Sequence, residues 1–203
     1  MNNRKKVTII LIIISLIMFS PLVQNAITGF KSTFFNNLGF TMATTAPWYS
    51  WLLALAVAIC YILYTFNVLP IVRELQKEIS MFKLLGLFAG FVAGIIEELV
   101  FRRWLMDLAM NHGIGILAQI VISGSLFGFA HISWGGLRKN RMFALKVIFS
   151  TTVLGLFLSI VYVIGQRNIG PCIAAHCLIS MTIEPWLMLA AVSGKRSSIE
   201  LKE

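Results

Sequence analysis

The sequence predicts an all-α protein, a polytopic membrane helix bundle of about six transmembrane helices. Of its 203 residues, 58% are hydrophobic and only 12% are charged, which lies far outside the composition of a soluble domain. Apolar stretches of helical length alternate with short basic segments, and the sequence lacks the alternating strands of a membrane β-barrel. The length leaves no room for a separate soluble domain, so any activity must lie in or beside the bilayer.

Six apolar stretches along the sequence predict six membrane-spanning helices. The predicted spans cover residues 7–23, 48–69, 84–110, 114–134, 145–164 and 169–192. The first has the basic flank of a signal peptide, but it is long for one and no clear cleavage site follows, so we expect an uncleaved span. Residues 71–83 alternate charged and apolar residues at helical spacing, which predicts an interfacial helix. The chain then divides into an N-terminal part (1–83), a four-helix core (84–192) and a cytoplasmic tail (193–203).

Basic residues cluster at alternate ends of these spans. The clusters lie near residues 4–6, 73–83, 138–146 and 195–202 and hold most of the 17 lysines and arginines. The positive-inside rule therefore predicts a multi-pass protein of the cell membrane with both termini in the cytoplasm. These clusters explain the net charge of +9 as a topology signal. We therefore expect the protein to interact with the lipid bilayer and not with nucleic acid. Three cysteines in apolar runs argue against a disulfide framework.

The third predicted span carries charges that are costly in hydrocarbon. Ionisable groups there require a partner or a wet cavity, and they mark a candidate functional site. Glu98 and Arg102 are four residues apart on one helical face and can form an ion pair. Glu97 points about 100° away around the helix and has no local partner, which suits a general base. A purely structural Glu-Arg clamp between helices is the alternative.

The fourth predicted span ends near a histidine. Phe127 and His131 share a helical face, and Gly124 and Gly128 form a small-residue groove that allows close approach of another helix. At about 1.5 Å per residue, His131 falls near the cytoplasmic end of its span and Glu97 nearer the middle of the membrane. A single site therefore requires tilted or offset helices.

The sixth span carries a second histidine in a stripe at four-residue spacing. Cys172, His176, Ser180 and Glu184 can all face one cleft. Cys172 with His176 has the spacing of metal ligands, but a buried inert thiol explains the cysteine equally simply. Glu184 precedes Pro185, and this pair can instead mark the end of a helix.

At these residues the chain resembles the CPBP family of intramembrane proteases, which includes CAAX prenyl endopeptidases and bacteriocin-processing proteins and is also called the Abi family. The resemblance covers about residues 84–186. Its motifs are EExxxR at Glu97, Glu98 and Arg102, FxxxH at Phe127 and His131, and HxxxN or HxxxD at His176 followed by Ser180. The resemblance implies an endopeptidase with its site inside the membrane, in which Glu97 activates water with help from His131 and His176.

Ser180 departs from the family pattern. The asparagine found there in the family is thought to stabilise the tetrahedral oxyanion, and a serine hydroxyl is shorter although still a donor. The residues give the same mechanism: a water between Glu97 and the histidines attacks the scissile carbonyl while His176 and Ser180 hold the oxyanion. Glu97, His131 and His176 also match a three-ligand catalytic zinc set with a free fourth position, so one divalent metal such as zinc is an open alternative.

The leading hypothesis is an intramembrane endopeptidase acting on membrane-associated peptides or proteins, such as a bacteriocin or pheromone precursor in view of the resemblance. A non-catalytic membrane protein for bacteriocin immunity or peptide binding is the first alternative, and Ser180 favours it. A small transporter or ion pathway is the second, because acids and histidines in spans also form proton relays. The sequence shows no broken spans in corresponding halves, which disfavours a transporter.

Overall fold

The computed structural model describes residues 3–28, 45–132 and 140–195, and every regular element in these ranges is helical. The predicted all-α class is confirmed. The helices are α1 (Asn3–Thr28), α2 (Trp48–Val68), α3 (Pro70–Glu74), α4 (Met81–Glu98), α5 (Asp107–Asn111), α6 (Ile116–Ala130), α7 (Arg141–Ile164) and α8 (Gly170–Ser193).

One unpredicted element is the π-helical segment Leu99–Met106, which joins α4 to α5 without a break. Within the described ranges, five continuous helical stretches are long and apolar enough to cross a membrane, and α6 is a shorter apolar helix. The chain is therefore a multi-pass membrane protein.

The helix boundaries depart from the predicted spans at three places. The predicted interfacial helix (71–83) is interrupted: residues 71–74 belong to α3 and residues 81–83 already belong to α4. Ser80 is extended, and its hydroxyl accepts a hydrogen bond from the Lys83 amide at 3.3 Å, which caps α4. Helix α8 continues through Pro185, so Glu184 does not mark a helix end. Helix α6 ends at Ala130, and residue 134 lies outside the described residues, as does the tail from residue 196 onward.

Glycines set the distance between α4 and α8. A Cβ atom on Gly90 would lie 2.8 Å from the backbone of Ser180 and Met181, and one on Gly94 would lie 2.7 Å from the Cys177 sulfur. Small residues let two membrane helices approach until their backbones touch. This contact places the middle of α8 directly beside the last two turns of α4, where the glutamates lie.

A second glycine contact joins α6 to α7. A Cβ on Gly124 would meet Leu156, and one on Gly128 would lie 2.8 Å from the Thr152 amide nitrogen. Gly155 on α7 contacts Gly124 from the other side. The groove predicted from Gly124 and Gly128 is therefore confirmed, and its partner is α7.

Helix α1 packs against α4 and α8. Val7 and Leu11 on its inner face are fully buried. At its beginning, Arg4 donates two hydrogen bonds to the carboxylate of Glu78, at 2.5 and 2.7 Å. This ion pair fixes the start of α1 to the connection between α3 and α4.

Candidate active site

A buried ion pair forms the base of the site. The Glu98 Oε1 atom accepts a hydrogen bond from Arg102 Nη1 at 2.7 Å, and both side chains are fully buried. Arg102 Nη2 donates to the Gly155 carbonyl oxygen on α7 at 3.0 Å. The predicted pair is confirmed, and it also anchors the π-helical segment to α7.

The Phe127 ring packs against both this ion pair and the histidines. The Arg102 guanidinium lies 4.7 Å from the centroid of the Phe127 ring, within range of a cation-π interaction. The imidazoles of His131 and His176 lie 4.8 and 5.5 Å from the same centroid. One aromatic ring thus holds both imidazoles in place on α6 and α8.

Hydrogen bonds at Nδ1 orient the two imidazoles. His131 Nδ1 lies 2.8 Å from the Phe127 carbonyl oxygen, which can only accept, so this nitrogen carries the proton. His176 Nδ1 lies 2.7 Å from Glu98 Oε1 and donates to that carboxylate. In a neutral ring, the Nε2 atom then carries a lone pair.

Both Nε2 atoms face Glu97. The distances from Glu97 Oε2 are 3.9 Å to His131 Nε2 and 3.8 Å to His176 Nε2. These three side chains, predicted as one site, are therefore brought together. The helices pack with the offset that a single site required: α6 ends immediately before His131, whose Nε2 atom lies beside Glu97.

The geometry around Glu97 fits a bound water. Its Oε2 atom is buried and has no hydrogen-bond partner among the described residues. Buried carboxylate oxygens are normally hydrogen-bonded, often to water. A water about 2.8 Å from each of two atoms can bridge a separation of this size with an angle of about 90° at its oxygen.

The same atoms fit a metal ion less well. Ligands at about 2.1 Å in tetrahedral geometry are separated by about 3.4 Å, which is shorter than both distances from Glu97 to the histidines. In the part of the chain that the structure describes, no group of three or more histidine, cysteine or acidic side chains has the spacing of a metal site. Glu97, His131 and His176 therefore supply suitable donor types at a spacing that suits water.

A cavity of about 450 Å³ opens beside these groups. Glu97, His131, His176, Ser180 and Glu184 all line it. Cys172 is the member of the predicted stripe that does not: it is fully buried, and its thiol donates to the Leu158 carbonyl oxygen at 3.3 Å. This environment fits the inert thiol that was one of its two interpretations.

Sequence reasoning missed the contribution of the first two helices to the cavity. Ile14 and Met18 of α1 and Tyr61 of α2 line it together with the motif residues. Apolar residues within an apolar span give no sequence indication that they line a cavity. Tyr61, which combines an apolar ring with a polar tip inside a span, is the one position that sequence reasoning had grounds to select.

Comparison with known proteins adds one match. The family model described as "Rce1-like: Type II CAAX prenyl endopeptidase Rce1-like" matches residues 79–182, about half of the chain. The matched range runs from just before α4 to the middle of α8 and contains all seven residues of the three motifs. No curated protein and no solved structure matches the chain.

Proposed function

As the chain belongs to the Rce1-like family of type II CAAX prenyl endopeptidases, we propose that it hydrolyses peptide bonds through a water activated by Glu97 and two histidines. The family makes it a CAAX-type intramembrane protease that acts on membrane-associated substrates. The observation that carries the mechanism is the convergence of both Nε2 atoms on Glu97 Oε2, at 3.9 and 3.8 Å.

The proposed reaction begins with a water between Glu97 and the imidazoles. Glu97 takes one proton from it while an Nε2 atom accepts the other hydrogen bond. The water oxygen forms a bond to the scissile carbonyl carbon, and the carbonyl electron pair moves onto its oxygen. When the tetrahedral intermediate collapses, the C–N bond breaks and Glu97 passes its proton to the leaving amine.

Ser180 and Glu98 serve this reaction in different ways. The Ser180 hydroxyl lines the cavity and is available to donate to the oxyanion. Glu98 instead accepts from His176 Nδ1 and fixes the orientation of that ring, as carboxylates do for histidines in many hydrolytic sites. Arg102 neutralises Glu98 within the bundle.

Cleavage of membrane peptides in proteoliposomes tests this proposal. The wild type is compared with Glu97→Gln and His131→Gln on a panel of peptides with and without an attached prenyl group. We expect each substitution to lower cleavage by about 100-fold or more, because it removes an acid–base or water-binding group. His112→Gln is the matched control, since His112 is exposed at the end of α5. Equal rates for the wild type and Glu97→Gln would contradict the mechanism.

A second candidate function is peptide binding without cleavage, as in bacteriocin immunity. The observation that favours it is Ser180, which stands where the CPBP pattern has asparagine or aspartate. The variant Ser180→Asn separates the two functions. If the serine hydroxyl supports hydrolysis, the wild type cleaves and Ser180→Ala cleaves more slowly; if only Ser180→Asn cleaves, the native chain is a binding protein.

For orientation, we propose a cell-membrane protein with both termini in the cytoplasm. An even number of membrane crossings puts the two ends on the same side, and the basic clusters then face inward. Labelling of single cysteines placed near each terminus with a membrane-impermeant maleimide tests this topology: labelling in intact cells would contradict it, whereas labelling only after permeabilisation supports it.

A further inference from the structure

The active-site cavity contains a carboxylate that the proposed reaction does not use. Glu184 lies two helical turns beyond His176 and one turn beyond Ser180 on α8, and its half-buried side chain lines the same cavity. It is close enough to Glu97 and His176 to interact with both electrostatically. The family match ends at residue 182, so this residue also lies outside the matched range.

Glu184 differs from the other two acids of the cavity in its charge partners. Glu98 is paired with Arg102 and His176, and Glu97 faces two histidines. Across residues 3–28, 45–132 and 140–195, no basic side chain forms an ion pair with Glu184. An ionised carboxylate within a membrane span is costly without a counter-charge, and the nearby Glu97 adds repulsion. A positive group in a ligand would supply the missing counter-charge.

The backbone next to Glu184 is interrupted by a proline. Pro185 lies inside α8 and has no N–H, so the carbonyl oxygen of Met181 lacks its usual helical donor. The next carbonyl oxygen, that of Thr182, accepts a hydrogen bond from Gln76 Nε2 at 2.5 Å. Glu184 lines the cavity, whereas Met181 is not among its lining residues, so the carboxylate is the acceptor that faces a ligand there. A lysine ammonium carries three N–H donors and an arginine guanidinium carries five.

We propose that Glu184 is a specificity-determining residue that binds a lysine or arginine side chain of the substrate close to the scissile bond. This inference rests on the proposed function for its substrate, a basic membrane-associated peptide. The short distance to the scissile bond follows from the cavity that Glu184 shares with Glu97 and Ser180. Basic segments also concentrate at anionic membrane surfaces, which delivers such peptides to the enzyme.

The test uses one peptide series and two readouts. A labelled membrane peptide carries a single lysine at successive positions around the cleaved bond, and its matched partners carry norleucine or glutamate there. Affinity is measured with the protein in nanodiscs, and kcat/KM is measured in proteoliposomes. We expect the wild type to prefer lysine over norleucine at one position by about tenfold or more, since a desolvated charge pair contributes at least that much.

The variants decide whether Glu184 is the cause. Glu184→Gln is expected to bring the lysine-to-norleucine ratio close to one, and Glu184→Lys to favour the glutamate peptide. Glu74→Gln removes an exposed acid on α3, outside the cavity, and is expected to keep the wild-type ratio. The inference is overturned if the wild-type ratio is near one, if Glu184→Gln weakens all peptides equally, or if Glu74→Gln changes the ratio as much.

The two readouts separate this inference from the proposed function. Charge-dependent binding that disappears in Glu184→Gln, without any cleavage, supports the binding role of Glu184 and contradicts the protease mechanism. Cleavage of lysine and norleucine peptides at equal rates supports the protease and overturns the role of Glu184.

Discussion

Glu98 concentrates two hydrogen bonds on a single oxygen. Its Oε1 atom accepts from Arg102 and from His176, whereas its Oε2 atom and the Arg102 Nε atom have no partner among the described residues. Unpaired polar atoms at full burial cost free energy, so the pair is not optimised for stability alone. The arrangement is explained by its effect on His176, whose Nε2 atom it directs toward Glu97.

Glu98 both pairs with Arg102 and orients His176, and we expect substitutions to separate these two roles. Glu98→Met leaves Arg102 as an unpaired buried charge and should destabilise the fold by about 3–5 kcal/mol. The double variant Glu98→Met/Arg102→Met removes both charges and should recover the folded yield. It should not recover cleavage, because His176 has lost the acceptor that orients its ring.

Size-exclusion profiles and cleavage rates of the single and double variants check this prediction. A double variant that is folded and fully active would show that Glu98 is only a structural clamp, which was the alternative drawn from the sequence.

The individual residues were largely predictable. Helical spacing gives the Glu98–Arg102 pair, because four residues complete about one turn in either an α-helix or a wider helix. The contact of Glu97 with both histidines was expected as a group, but its distances depend on how three helices pack. The hydrogen-bond partner of His176 was not predicted, since no local spacing connects residues that are 78 positions apart.

At the scale of the helix, the contact between α4 and α8 positions the site. We expect Gly90→Ala to lower cleavage by about tenfold or more, since small displacements of catalytic groups have effects of this size. The added methyl group would lie 2.8 Å from the backbone of α8, next to Ser180, and a backbone cannot turn away as a side chain can.

Gly115→Ala is the control, because a Cβ atom there meets nothing within 4 Å and its φ of −64° is ordinary for any residue. Rates and thermal stability of both variants are compared in the same detergent. Unchanged cleavage in Gly90→Ala would show that α8 tolerates displacement.

The docking of α1 should depend on pH through its ion pair. Hydrogen bonds from Arg4 lower the pKa of Glu78 below its ordinary value. A carboxylate with a lowered folded-state pKa stabilises the docked helix at pH values above its unfolded pKa, about 4.3, and loses that contribution as the pH falls through the folded value. Because both side chains are partly exposed, the contribution is at most about 1 kcal/mol.

Hydrogen exchange of the α1 amides measures this effect. Glu78→Gln should exchange faster than the wild type at neutral pH, and the two proteins should converge as the pH falls through the lowered folded-state pKa of Glu78. A difference that persists at low pH would mean that the ion pair does not hold α1.

Helix positions followed well from hydropathy, with boundaries within a few residues. The predicted interfacial helix is interrupted between α3 and α4, where Ser80 caps α4 and the Gln76 side chain donates to the Thr182 carbonyl oxygen of α8. The π-helical segment was not predictable either, since its residues are ordinary helix formers and the wider turn arises where Arg102 reaches α7.

For the whole molecule, metal dependence is the sharpest remaining test of the mechanism. We expect cleavage to change by less than about twofold after prolonged treatment with EDTA and 1,10-phenanthroline, because the spacing of Glu97, His131 and His176 is wider than tetrahedral ligation requires. Metal analysis of the treated protein establishes that removal was complete. Loss of cleavage that zinc restores would instead support the zinc alternative.

Helix α6 is too short for an ordinary bilayer. Its 15 residues extend about 22 Å, whereas the hydrocarbon layer is about 30 Å thick. Leu117 and Phe129, near its two ends, are largely exposed, as expected of side chains that face lipid. A bilayer can adapt to a short helix by becoming thinner around it, so that the lipid headgroups lie closer to the membrane centre. We therefore expect the bilayer to be thinner beside this helix, at the edge of the candidate site, which would shorten the path that water and an extended peptide travel to reach Glu97.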